Sequence, residues 1–136
     1  IWSRSYDIPP PQLEVDDHRN PKLQEKFQNI NYTLPLGESL KDVIQRLEPF
    51  WDQYFKNIKK NEGSHLIIAH SNSLRAIVKI IEKLSESEIT KVNIPTGVPL
   101  LYEIDNHLNI IKKEYFIDKK ALQIKQNIVI NQGKAK

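Results

Sequence analysis

Between residues 40 and 58 apolar side chains recur at helical spacing: Leu40, Val43, Ile44, Leu47, Phe50, Trp51, Tyr54, Phe55 and Ile58. That period predicts one long helix. Ser39 and Asp42 have the form of an N-cap and its partner, and Pro49 is expected to kink the helix by interrupting its hydrogen-bond ladder. The aromatic residues of this stretch read as core rather than as a cofactor site. Asn61-Glu62-Gly63 then reads as a turn.

A different pattern follows. Leu66, Ile67, Ile68 and Ala69 form a short continuous apolar run, expected as a buried strand. His70 stands at its exit, and Ser71-Asn72-Ser73 opens an amphipathic helix carrying Leu74, Ile77, Val78 and Ile81. This order sets an imidazole beside a helix N-terminus, where free N–H groups and the helix dipole favour anions. In an open α/β sheet, ligands bind at the carboxyl ends of strands. One junction therefore offers a proton-transfer group together with a phosphate cradle.

Downstream, Ser85 and Glu88 have capping-box spacing for a short helix ending near Val92. Pro95-Thr96-Gly97 reads as a turn. Residues 98–104 and 109–116 read as two strands joined at Asp105-Asn106-His107, the first suited to an edge because of Pro99. A weak amphipathic helix is expected from about Lys119, with Leu122, Lys125, Ile128 and Val129 on one face, followed by a mobile tail at 131–136. At the other end, Pro9-Pro10-Pro11 and Pro21 make residues 1–36 a long loop, either one covering a functional site or a disordered linker.

Composition narrows the class. The chain has 136 residues with 39% hydrophobic and 27% charged, ordinary for a globular protein and within the size of a single domain. Its 20 basic and 17 acidic residues give a net charge of +3. The lysines are scattered, which reads as a solvated surface rather than a nucleic-acid face. Cysteine is absent, which excludes disulfides, thiol nucleophiles and cysteine metal sites. No apolar run approaches membrane-spanning length, so no membrane partner and a cytoplasmic location are expected. The chain begins Ile1-Trp2 rather than with Met, and an N-terminal portion is expected to be missing.

The four histidines are His18, His65, His70 and His107. No two have the close helical spacing of a zinc site, so no metal is expected. His70 alone falls at the end of an expected strand. Two readings of it stand on the residues alone: a proton-transfer group, or a histidine satisfied by local hydrogen bonds. Ser39, Ser71 and Ser73 lack a Gly-x-Ser-x-Gly elbow and suit helix caps and phosphate donors better than nucleophiles. Arg4 and Arg75 have the planar fork that clamps anions, although Arg75 is expected on the outer face of its helix.

Several segments, taken in order, are similar to one family. Ile1-Trp2-Ser3-Arg4-Ser5-Tyr6-Asp7-Ile8-Pro9-Pro10-Pro11, Leu36-Gly37-Glu38-Ser39-Leu40-Lys41-Asp42, Ala69-His70-Ser71-Asn72-Ser73-Leu74-Arg75, Asn93-Ile94-Pro95-Thr96-Gly97-Val98-Pro99 and Asn131-Gln132-Gly133-Lys134-Ala135-Lys136 resemble the 2,3-bisphosphoglycerate-dependent phosphoglycerate mutases of the histidine phosphatase superfamily. The resemblance implies an α/β, three-layer fold with a mostly parallel sheet flanked by helices, of which residues 1–136 would be the C-terminal portion. It implies a glycolytic isomerase that interconverts 3-phosphoglycerate and 2-phosphoglycerate through a phosphohistidine. The implied cofactor is 2,3-bisphosphoglycerate, with no metal, and the implied partners are small phosphoglycerates and, at full length, a second copy in a homo-oligomer. By the same resemblance His70 is a catalytic residue that stabilises the phosphoryl group. Ser71 and Asn72 lie where substrate phosphate binds, Arg4 grips substrate, and the lysine-bearing tail closes over the site.

Three departures accompany the resemblance. The family's Arg-His-Gly triplet with its phosphorylated histidine is absent, as are the upstream arginine and glutamate of the pocket. Ser3 stands where the first arginine of a pair is expected. Ser71 replaces a glycine, a change expected to weaken phosphate binding or strain the backbone. The chain alone is therefore expected to be inactive, and the alternative function is that of a non-catalytic phosphate-binding remnant of a decayed mutase.

Overall fold

The computed structural model describes residues 5–58, 63–107 and 109–132. Helix α1 spans Leu40–Ile58 and runs through Pro49. Its start is fixed by a reciprocal cap. The Ser39 backbone N–H donates to Asp42 Oδ2 at 2.8 Å, and the Asp42 N–H donates to Ser39 Oγ at 3.2 Å. Helix α2 spans Ser71–Glu82 and ends at Lys83, whose φ of 53° places a lysine in the left-handed region where its N–H caps the Lys79 carbonyl. Helix α3, Glu86–Ile89, is a single turn held by the expected capping box: the Ser85 N–H donates to Glu88 Oε2 at 2.7 Å and the Glu88 N–H to Ser85 Oγ at 3.2 Å.

These helices meet in one core. Leu40, Val43 and Ile44 of α1 pack against Ala76 of α2 and Ile89 of α3, with Tyr6, Leu47, Ile80, Leu84 and Val92 around them. Trp51 is buried, and the Phe55 ring meets it edge-on at 4.4 Å. Phe50, on the same helix, is 56% exposed, so the aromatic stretch is core on one side only.

Strands β1, Leu100–Ile104, and β2, Ile110–Tyr115, form an antiparallel hairpin. Leu100 lies opposite Tyr115 and Glu103 opposite Lys112, with a bulge between Glu103 and Ile104. Asp105 shapes the turn by accepting the N–H groups of His107 and Asn109, each at 2.8 Å. The hairpin is tied to the end of α2 by Glu82, which accepts from the Tyr102 hydroxyl and from Lys113 Nζ, the latter at 2.6 Å. Burial, and next the hydrogen bond to Glu82, push the Tyr102 hydroxyl far above its ordinary pKa of 10.0. Helix α4, Lys119–Gln132, follows, with Asp118 accepting the Ala121 N–H at 2.9 Å.

The N-terminal segment is irregular but organised. Among the described residues it holds the short 3-10 turns Pro21–Leu23 and Glu25–Phe27. Asn20 is buried and bonds to the carbonyls of Glu14 and Val15 and to the Lys22 N–H. Of the tail expected at 131–136, Asn131 and Gln132 belong to α4 and the rest lies outside the described residues.

One expectation is overturned. The described residues are mostly helical, with a single two-stranded antiparallel sheet, and not a mostly parallel sheet flanked by helices. The α/β reading needs residues 66–69 to be a strand, and they form none. No hydrogen bond among the described residues involves them, and Leu66, Ile67 and Ile68 are 83%, 38% and 86% exposed. An apolar run becomes a central strand only when neighbours pair its backbone and cover both faces. Nothing among the described residues does either.

Candidate functional site

His70 is the N-cap of α2. Its backbone is extended, with φ −60° and ψ 148°, while its carbonyl already accepts the Leu74 N–H at 3.0 Å. The imidazole Nδ1 accepts the Asn72 N–H at 3.3 Å. A ring that accepts at Nδ1 carries its proton, when neutral, on Nε2. The residue is exposed. Of the two readings of His70, the local hydrogen bond is present, and it fixes the ring at the helix mouth.

Ser71, Asn72 and Ser73 are the first three helical residues, so Ser71 is exposed at the helix mouth and Asn72 is half-buried beside it. The strain expected from a side chain at position 71 is not found. Ser71 lies within the helix, and among the described residues the only non-glycine with positive φ is Lys83. At the first helical position a hydroxyl projects outward without disturbing the backbone.

Arg75 corrects a second expectation. It is not on an outer face: it is buried, within a run of buried residues from Arg75 through Val78 that leaves that turn of α2 no exposed side. Its Nη1 donates to Asn72 Oδ1 at 3.3 Å and its Nη2 to the Ile89 carbonyl at 3.0 Å. The contact with Ile89, 14 residues on, carries no local signal in the sequence.

Arg4 lies outside the described residues. Tyr6, two residues later, packs on the core, its carbonyl accepts the Lys41 N–H at 2.9 Å, and Lys79 Nζ stands 5.6 Å from the centre of its ring. The other histidines take no part in this cluster. His65 meets the Tyr54 ring edge-on at 5.9 Å, His18 stands 3.6 Å from Asp17, and His107 is in the hairpin turn. Among the described residues no group of three His, Cys, Asp or Glu side chains is placed to hold a metal ion. No helix there is long and apolar enough to cross a membrane.

The mouth of α2 thus presents N–H donors at a helix N-terminus, a hydroxyl, an amide and an imidazole. Such a set suits one phosphoryl group.

Residues 11–113 match the histidine phosphatase superfamily (branch 1). The chain is 50% identical over 137 residues to the 2,3-bisphosphoglycerate-dependent phosphoglycerate mutase of Treponema denticola, covering 100% of this chain and 56% of that protein. It is 46% identical to the protein of the same name from Hydrogenobaculum sp., covering 99% and 55% of the two chains. To that of Lachnoclostridium phytofermentans it is also 46% identical, covering 98% and 54%. The chain therefore spans about half the length of the curated relatives it matches. It belongs to the histidine phosphatase superfamily, branch 1, and corresponds to a C-terminal-like part of its 2,3-bisphosphoglycerate-dependent phosphoglycerate mutase family.

Proposed function

We propose that this chain forms part of an enzyme that interconverts 3-phosphoglycerate and 2-phosphoglycerate by way of a phosphohistidine. The observation that carries the reading is His70 at the N-cap of α2, its Nδ1 engaged by the Asn72 N–H and its ring beside Ser71 and Asn72. In this reading the first turn of α2 binds a phosphoryl group through its N–H donors, the Ser71 hydroxyl and the Asn72 amide. His70 donates from Nε2 to a phosphoryl oxygen. Charge spreads over those oxygens during transfer, and donors fixed in place stabilise it without reorganising. Arg4 is assigned by the same reading as a further cation for a bisphosphorylated ligand. The phosphorylated histidine is none of the residues assigned here, since no Arg-His-Gly triplet occurs in the sequence; it is supplied from outside these 136 residues.

The donor set fits one phosphoryl group of 2,3-bisphosphoglycerate, which when bound supplies the phosphoryl group that charges the nucleophile. The proposed setting is cytoplasmic glycolysis.

The test is a mutase assay on the chain alone and on the chain mixed with the part of the Treponema denticola mutase outside the matched region. Turnover is expected only in the mixture, and is expected to be lost with His70→Ala. Binding of 3-phosphoglycerate by the mixture without turnover would replace the proposal with a non-catalytic phosphate-binding role. Absence of both would end it.

A further inference from the structure

Arg75 is a buried cation in a turn whose other buried members are Ala76, Ile77 and Val78. Burying a guanidinium is costly unless its hydrogens are engaged, and a leucine or methionine would fill the space without that cost. What the guanidinium adds is a fork with separated donors. One arm, Nη2, reaches the carbonyl of Ile89, the last residue of α3 and itself fully buried; the other, Nη1, reaches Asn72 Oδ1. A lysine ammonium gathers its three hydrogens on one nitrogen, whereas the guanidinium serves the two acceptors from two nitrogens set apart in a fixed plane.

The consequence lies in the amide. An Asn side chain is oxygen on one side and NH2 on the other, and either can face a ligand. With Oδ1 held by Arg75, the Nδ2 hydrogens are left to face away from the guanidinium. Anions need donors, and a flipped amide would present a repelling oxygen instead. We propose that Arg75 is a positioning residue that fixes Asn72 with its NH2 group toward the ligand, using the end of α3 as its anchor. The inference rests on the assignment of Asn72 to phosphate binding made above, and it names what sets the polarity of that contact.

The test uses the full chain, Arg75→Met, Arg75→Lys and each combined with Asn72→Ala. The side-chain amide signals of Asn72, identified by their loss in Asn72→Ala, are followed by nitrogen–proton NMR. They are expected to shift toward the positions of exposed asparagines in both Arg75 variants while the backbone signals of α2 hold. Inorganic phosphate is then titrated. Arg75→Met is expected to weaken binding about tenfold in the parent chain, the scale of one hydrogen bond of charged character. In the Asn72→Ala background the same change is expected to matter less than about twofold, because the amide it orients is gone. A merely structural role for Arg75 would weaken both backgrounds equally and would overturn the proposal. So would Asn72 amide signals that stay in place in a folded Arg75 variant. If Arg75→Met does not fold, Arg75→Lys, which keeps charge and stem but not the fork, decides on the same two readouts. If the parent chain takes up no phosphate, the phosphate-binding reading fails for this chain, and the amide signals alone decide the positioning role.

Discussion

Ile89 and Ile68 are the same residue type in opposite surroundings, and replacing each with alanine measures how the chain is held together. Ile89 is 0% exposed and sits against Leu40, Val43, Ile44 and Ala76, while Ile68 is 86% exposed. The substitution removes three carbons. At about 0.8 kcal/mol per buried methylene, full burial makes that loss about 2.4 kcal/mol before the cavity is counted. The void left between α1 and α2 adds to it, so Ile89→Ala is expected to cost about 3–4 kcal/mol, inside the usual range for such changes. For Ile68 only about one-seventh of the transfer term applies, or about 0.3 kcal/mol, with no cavity. The assay is urea unfolding followed by far-UV circular dichroism at low protein concentration, where helix loss reports the whole core. Ile89→Ala should lower the midpoint strongly and Ile68→Ala should leave it in place. A cost above about 1 kcal/mol for Ile68→Ala would mean that residues 66–69 are covered in solution, and the fold described above would be wrong there. A cost below that for Ile89→Ala would mean that α3 is not anchored on the core.

Four further outcomes are expected. Replacing Leu66 and Ile68 together with serine should lower concentration-dependent self-association, read by light scattering, because an exposed apolar run is a site for pairing with other chains. Lys83→Gly should raise stability by up to about 1 kcal/mol in urea titration, since the φ of 53° strains a lysine and not a glycine. The Ser39 side chain, and next its backbone N–H, hold the Asp42 carboxyl below its ordinary value of 3.8. A folded pKa that is depressed gives stability present above the unfolded value and lost as pH falls through the folded one, so acid unfolding below about pH 4 should be less steep in Asp42→Asn. That variant should also be slightly less stable at neutral pH, because a neutral amide oxygen accepts the Ser39 N–H and hydroxyl less strongly than a carboxylate does. Tyr102 has the opposite sign: its raised pKa gives stability that is complete below about pH 10 and erodes as pH climbs through the folded value. Tyr102→Phe should flatten alkaline unfolding followed by circular dichroism.

What was readable in the sequence, and what was not, divides by distance along the chain. The caps at Ser39 and Ser85 and the turn at Asp105 each depend on partners within four residues, and all form as the spacing implies. The long helix, the hairpin and the helix from Lys119 follow from periodicity, which is equally local. The run at 66–69 is different. Four apolar residues state what a segment becomes if it is covered, but whether cover exists depends on residues elsewhere, and here Leu66 and Ile68 face solvent. Arg75 fails for the mirror-image reason. Its helix looked amphipathic, so a charge off the apolar stripe belonged outside; α3 returns over that face and offers the Ile89 carbonyl as a partner. His70 shows why the local geometry at the start of α2 was legible while the sheet was not. Its orientation comes from being the N-cap of α2 and from the Asn72 N–H two residues on, both set by the local sequence. A phosphate cradle at a helix mouth needs the helix to form and its cap to be in place; it does not need residues 66–69 to be paired. Two properties of one short segment, a paired strand before His70 and an ordered donor set after it, are therefore separable, and only the second follows from the residues that surround it.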